Sequence, residues 1–171
     1  MIFVDSHCHL NLLEGNPVDT IKRAFDAGVT RIIVPGIDFA TSLEAINLAD
    51  EFPAVYAAVG IHPHEALKVS TNDILKITKL ASHPKVVAIG EIGLDYHYPP
   101  FDVVLQKVVL NAMLELAKST GKPVILHSRD SLADLISIVA MQKNLSDSEQ
   151  PKQDRLLGVF HMFEGNTQDA L

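Results

Sequence analysis

Short apolar runs alternate along the chain with longer segments in which apolar residues recur at helical spacing. The runs predict six strands, at residues 2–5, 31–34, 55–59, 86–90, 123–127 and 156–160. Most of these runs are apolar throughout instead of alternating with polar residues, which is typical of strands buried on both faces. The sequence therefore predicts a sheet covered by helices.

The segments between the runs carry the signals of helices. We predict helices at residues 18–27, 40–51, about 71–82, 102–120 and 130 or 131 to about 141. Gly28 and Gly121 follow two of them as C-terminal stops. Residues 143–155 are polar and predict an exposed loop or a helix extension, and a further helix is expected from Thr167 to the last residue.

Strict alternation of strands and helices favours a parallel sheet in a TIM-like (β/α) barrel. A barrel of eight units takes about 250 residues, so the 171 residues of this chain predict about six of the eight units. The alternative is an open doubly wound sheet, which suits the length better. Against this alternative, no glycine-rich phosphate loop follows the first strand.

Composition and charge narrow the possible functions. The formal net charge of −7 argues against broad electrostatic capture of duplex DNA, although a nucleic-acid end held in a pocket remains compatible with it. No apolar run approaches the length of a membrane span, and the N-terminus lacks the pattern of a signal peptide. Cys8 is the single cysteine. We therefore expect a cytoplasmic protein without a membrane partner.

Histidines and one glutamate stand at the ends of these apolar runs. They are His7 and His9, His62 and His64, Glu91, His127, and His161. The ends of parallel barrel strands meet on one face, so these side chains are expected to converge. A buried carboxylate at position 91 needs a metal ion or a cation; a salt bridge to Arg129 or Lys122 is the alternative, just as single histidines can be core residues. Four histidines and the bridging Glu91 would hold two divalent ions.

Five segments carry a family resemblance. They read DSHCHL at 5–10, GIHPH at 60–64, GEIGLDY at 90–96, LHSR at 126–129 and VFHMFEG at 159–165. With these motifs the chain resembles the TatD family of metal-dependent hydrolases, barrel proteins described as DNases. The resemblance implies a single domain over residues 1–171 that lacks the C-terminal part, because the family pattern continues to a seventh strand ending in an aspartate. Met162 and Glu164 depart from the family, which more often has Cys and Ser there.

The resemblance also implies roles for individual residues. His7 and His9 would bind the first ion, Glu91 would bridge, and His127 and His161 would bind the second. His62 would position the substrate phosphate or the nucleophilic water, as a catalytic residue beside Glu91. The residues implied to line the substrate pocket are Arg129, Asp95, Tyr96 and His97.

These observations favour a phosphodiesterase with Mg²⁺, Mn²⁺ or Zn²⁺ that acts as a 3′-5′ exodeoxyribonuclease on single-stranded DNA ends or nucleotide-like substrates. An amide or ester hydrolase is the second hypothesis, although no strand ends in a lysine that could be carbamylated. The third is a non-catalytic truncated remnant. Six of eight strands would leave two open sheet edges, which predicts self-association or a complementing chain.

Overall fold

A computed structural model describes residues 2–146 and 158–170 of the chain. The strands are β1 (Phe3–Asp5), β2 (Val29–Pro35), β3 (Val55–Val59), β4 (Val86–Asp95), β5 (Val124–Arg129) and β6 (Gly158–His161). The helices are α1 (Pro17–Asp26), α2 (Phe39–Glu51), α3 (Thr71–Leu80), α4 (Val103–Thr120) and α5 (Leu132–Ser146). Short 3₁₀ turns lie at Leu10–Leu12 and Pro63–Glu65.

The six strands form one parallel sheet in the order β1-β2-β3-β4-β5-β6. A doubly wound sheet reverses its strand order at a switch point, whereas this order follows the sequence throughout. The imidazole of His7, just after β1, stacks on that of His161 in β6, with ring centroids 3.6 Å apart and planes 10° apart. Because β1 and β6 are at opposite ends of the sheet order, the sheet is curled, and the predicted barrel architecture is confirmed over the open sheet.

Side-chain caps determine where the helices begin. Asn16 accepts from the Val18 backbone N–H with Pro17 at the first helical position, and Asp102 accepts from the first turn of α4. Ser70 caps α3 through a reciprocal pair with Asp73, so this helix begins at Thr71. No helix among the described residues is long and apolar enough to cross a membrane.

The core lies between the sheet and the helices that cover it. Strands β3 and β4 are buried along almost their whole length, and α4 contributes Leu110, Met113 and Leu114 to the same cluster. Helix α1 contributes no buried residue, and its Phe25 is largely exposed. Apolar side chains of β1 are also exposed. The predicted association with a second chain stays a prediction.

Several predicted boundaries differ from the structure. Strand β4 runs to Asp95 and β5 to Arg129, because their backbones stay paired beyond the apolar run, from Ile92 opposite Leu126 to Asp95 opposite Arg129. Helix α5 extends to Ser146, while residues 147–157 lie outside the described residues. The helix expected from Thr167 is a turn at residues 167–170, in which the Asn166 side chain accepts from the Gln168 and Asp169 backbone N–H groups.

Strands β4 and β5 leave no room for a side chain at Gly93. This residue has φ +152° and lies opposite His127 in the ladder, and a Cβ there would overlap the His127 backbone carbonyl. A side chain at position 93 would therefore both strain β4 and push β5 away from it. The two strands carry Glu91 and His127, so this glycine positions both.

Substitution Gly93→Ala is expected to lower the free energy of unfolding by about 2 kcal/mol or more, because backbone strain and steric overlap add. Urea denaturation measures this change. Gly121→Ala is the matched control, since Gly121 also has a positive φ (+63°) but no heavy atom within 4 Å of the added Cβ. Equal losses in the two variants would show that the close approach to His127 costs nothing.

Candidate metal centre

Strand β4 places Glu91 on the inner face of the curled sheet. Successive side chains of a strand point to opposite faces, so Glu91, Gly93 and Asp95 share one face. The Glu91 side chain is buried, with 3% of the residue exposed. A carboxylate in this position is costly unless other groups compensate its charge. Glu91 is therefore buried as predicted, and the groups around its carboxylate explain how the buried charge is tolerated.

Imidazoles surround both oxygens of the Glu91 carboxylate. On one side, Oε2 lies 3.3 Å from His7 Nε2 and 3.4 Å from His9 Nε2. On the other side, Oε1 lies 3.0 Å from His127 Nδ1 and 4.0 Å from His62 Nε2. These are ring nitrogens, not the ammonium or guanidinium groups of the salt-bridge alternative. Lys122 instead donates to the Val86 carbonyl.

The spacing of these atoms tests whether they fit a metal ion. His7 Nε2 and His9 Nε2 are 3.1 Å apart, so with Glu91 Oε2 they form a nearly equilateral triangle. Two ligand atoms about 2.1 Å from one tetrahedral or octahedral ion lie about 3.0–3.4 Å apart. The Nε2 atoms of both rings face Glu91 Oε2, while neither Nδ1 atom has a hydrogen-bond partner among the described residues. The donor set fits a divalent cation.

Two groups of possible ligand atoms share Glu91. One consists of His7, Glu91 and His161, and the other of His62, Glu91 and His127, with all atoms of a group within 4.8 Å of one another. The structure thus places His161 beside His7, whereas the sequence analysis paired it with His127. A carboxylate common to two groups of nitrogens is the arrangement expected of a bridging ligand between two ions.

A second buried carboxylate, Asp95, contacts ring nitrogens of two of the histidines. Its Oδ2 is 3.1 Å from His127 Nε2 and 2.9 Å from His64 Nε2, while Oδ1 accepts from the His97 backbone N–H at 2.8 Å. Only 1% of Asp95 is exposed. Carboxylates that orient metal-binding histidines in this way fix the ring and its tautomer. The burial of Asp95 favours such an orienting role over the predicted contact with substrate.

Gln106 on α4 fixes the end of β4, and the sequence analysis did not identify it. Its side-chain Nε2 donates to the Asp95 carbonyl at 2.7 Å, and its Oε1 accepts from the Asp95 backbone N–H at 2.9 Å. Both contacts are buried, so neither backbone group has water as an alternative partner. A polar residue on the buried face of a predicted helix is the signal that could have identified Gln106.

The carboxylates and His127 shift one another's pKa. Burial alone would raise the pKa of the Glu91 carboxyl, but hydrogen bonds with His127, His7 and His9 hold that pKa well below its usual range. Burial would lower the pKa of His127, yet the hydrogen bonds and charges of Glu91 and Asp95 raise it. The metal-free cluster therefore keeps Glu91 ionised at neutral pH, in the form that binds a cation.

His62 is buried and stays unprotonated at neutral pH. Burial, reinforced by the neighbouring His127, lowers the pKa of His62 to about 3. The His64 backbone N–H donates to His62 Nδ1 at 3.2 Å, so the neutral ring carries its proton on Nε2. This nitrogen is a hydrogen-bond donor toward the centre of the cluster, which favours the predicted positioning role over metal ligation.

Tyr96 and Arg129, which were also predicted to line the pocket, lie in different places. The Tyr96 hydroxyl donates to Asp134 at 2.9 Å and its ring stacks on Phe101, so its side chain contacts α5 and the segment before α4. Burial and the Asp134 carboxylate raise the pKa of this hydroxyl. Arg129, in contrast, lies at the rim of the cluster over the ring of Tyr98, an aromatic residue that the sequence analysis did not identify.

Comparison with known proteins agrees with this geometry. Residues 4–171 match the family model described as TatD related DNase. The chain belongs to the TatD family. It is 35% identical over 172 residues to the uncharacterized metal-dependent hydrolase YabD of Bacillus subtilis, covering 99% of this chain and 64% of the relative. The 3′-5′ ssDNA/RNA exonuclease TatD of Edwardsiella piscicida is 34% identical over 159 residues, covering 92% of this chain and 57% of that relative.

A solved TatD-family structure confirms the fold. The crystal structure of the TatD homologue YjjV from Escherichia coli K12 superposes with a TM-score of 0.85 and 32% sequence identity, covering 98% of this chain and 62% of that chain. The predicted family and barrel architecture are thereby confirmed. The chain spans less than two thirds of the length of these TatD relatives.

The low pKa of His62 predicts how stability depends on pH. Below about pH 6.5 the unfolded chain protonates this histidine while the folded chain does not, so stability falls as the pH decreases toward 3. Between pH 7 and pH 5 this one group should cost about 2 kcal/mol. In metal-free protein, urea denaturation of His62→Gln should show a correspondingly smaller difference between the two pH values. An unchanged difference would mean that folded His62 titrates normally.

Proposed function

We propose that the protein is a divalent-metal-dependent phosphodiesterase that removes nucleotides from the 3′ end of single-stranded DNA. The observation that carries the proposal is the buried Glu91 carboxylate with imidazole nitrogens at both oxygens. Many phosphoryl-transfer enzymes use two divalent ions held close together, and a carboxylate between two groups of nitrogens could bridge such a pair. The name of the Edwardsiella piscicida relative, a 3′-5′ ssDNA/RNA exonuclease, supports the same reaction class.

The proposal assigns the ligands as follows. His7, His9 and Glu91 Oε2 would hold one ion, and Glu91 Oε1 and His127 would hold the other. His161 would complete the second set only by leaving its stacked position on His7. Mixed imidazole and carboxylate donors accept Zn²⁺, Mn²⁺ or Mg²⁺. Bound ions of this kind supply Lewis-acid activation of water and neutralise charge at a phosphoryl group. His161, stacked on His7 at the other edge of the sheet, is within reach of the same carboxylate.

The protein's own side chains would then orient the substrate. His62 stays neutral at working pH and offers its Nε2–H to a phosphate oxygen or to the attacking water. Asp95 keeps the imidazole of His127 in one orientation through Nε2. The guanidinium of Arg129, at the rim, is the cation placed to meet a substrate phosphate.

Amide or ester hydrolysis at the same centre is the competing function. It requires the same ligands, so geometry at the ions does not distinguish the two. The rim distinguishes them better, because the fixed cation of Arg129 has no evident use for a neutral substrate. The substrate test must therefore include both bond types.

Removal of the bridging carboxylate is the direct test. Glu91→Gln keeps the shape of the side chain but removes its charge, and we expect at least about a thousandfold loss of mononucleotide release from a 5′-labelled single strand. Chelation should abolish the wild-type activity, and Mg²⁺ or Mn²⁺ should restore it. Glu115→Gln, an exposed acid paired with Lys118 on α4, is the control and should keep full activity.

Two results would contradict the proposal in different ways. A wild-type chain that binds divalent ions in calorimetry and cleaves p-nitrophenyl acetate, but no oligonucleotide, would favour the amide or ester hydrolase. A chain that binds no divalent ion would instead favour the non-catalytic alternative. Loss of activity in Glu115→Gln would show that the Glu91 effect is not specific.

A further inference from the structure

An aromatic ring and a cation form a pair at the rim of the metal centre. The guanidinium carbon of Arg129 lies 4.6 Å from the centroid of the Tyr98 ring, within the range of a cation–π interaction. Tyr98 is 52% exposed, and its ring meets that of His97 edge to face at 4.5 Å. The contact with Tyr98 fixes the guanidinium while leaving part of both side chains open to a ligand.

The charge of Arg129 has no partner in the described part of the chain. No carboxylate among residues 2–146 and 158–170 lies within 4.0 Å of its guanidinium, although the acids Asp95 and Asp130 both lie close to it in sequence or in the sheet. The Asp95 carboxylate is paired with two histidines, and the Asp130 carboxylate pairs with His97 at 2.7 Å. A half-buried guanidinium left available in this way is suited to a bound anion.

The sheet places this pair close to the metal centre, although not in contact with its proposed ligands. Arg129 follows His127 by two residues, so both point to the same face of β5, and it lies opposite Asp95 in the ladder. The Tyr98 ring is 6.1 Å from the ring of His64, and His64 in turn is bonded to Asp95. One layer of side chains therefore separates the pair from the proposed ligands.

We propose that Tyr98 and Arg129 form a nucleotide-binding lip, in which Arg129 binds a backbone phosphate and the exposed part of the pair stacks on a base near the 3′ end of a single strand. The proposal rests on the proposed function and names residues that determine its substrate. Aromatic rings and guanidinium planes are the surfaces on which unpaired bases stack. Tyr96 is unsuited to this role because its hydroxyl and ring are held by Asp134 and Phe101.

The test compares normal and abasic substrates in the metal-loaded full chain. One single-stranded oligonucleotide carries all its bases, and a second lacks the bases of its last three nucleotides. For the normal strand, Tyr98→Ala should raise KM about 5- to 150-fold, the range of one lost base-stacking contact, with little change in kcat. For the abasic strand, KM should change less than twofold, and Tyr98→Phe should retain wild-type KM on both.

Arg129→Ala should behave differently because its contact is with phosphate. We expect KM to rise for both strands, and the dependence of log KM on log salt concentration to weaken by about 0.7, the contribution of one phosphate contact on a single strand. Phe25→Ala is the control for Tyr98, since Phe25 is an exposed aromatic residue on α1. It should leave both KM values unchanged.

The lip proposal fails if Tyr98→Ala matches Phe25→Ala, or if it raises KM equally on normal and abasic strands, as a structural effect would. Either result leaves the proposed nuclease function standing, since wild-type cleavage remains. If the wild type cleaves neither strand while metal binding is intact, the proposed function itself fails and the lip fails with it. The wild-type cleavage rate alone distinguishes failure of the proposed function from failure of the lip proposal.

Discussion

The charge of one buried carboxylate determines much of this structure. Glu91 lies inside the curled sheet, where ionisation is costly without partners. Imidazoles from β1, β3 and β5 compensate it from both sides. Strands β3 and β5 flank β4, but β1 does not, so His7 and His9 can reach Glu91 only because the sheet curls. The curl is therefore part of how the buried charge is compensated.

Around Glu91 the polar groups are arranged in layers. The Asp95 carboxylate contacts His127 Nε2, and the Gln106 side chain on α4 forms two hydrogen bonds with the Asp95 backbone. Each layer restricts the orientation of the one inside it, which is how proteins keep metal ligands in place before an ion binds. A polar residue on a core helix thus influences the centre without contacting its ligands.

The sequence predicts the barrel well because apolar runs and glycine stops are local signals. It also predicts the convergence of His7, Glu91 and His127, since the ends of parallel strands share one face. It misses the last residues of β4 because Glu91, Gly93 and Asp95 interrupt the apolar run there. Tyr98 could not be selected over Tyr96 from sequence, since only the packing of the helices decides which ring is exposed. The protonation of a buried histidine likewise depends on surroundings that no motif contains.

The order of the strands has a consequence for how the centre assembles during folding. Every pairing in the sheet joins consecutive strands, each pair connected by one crossover through a helix, and the entropic cost of closing such a loop grows only slowly with its length. The stacking of His7 on His161 is different, because it joins the two ends of the sheet. His161 can therefore join the other histidines only when β6 has been added to the sheet.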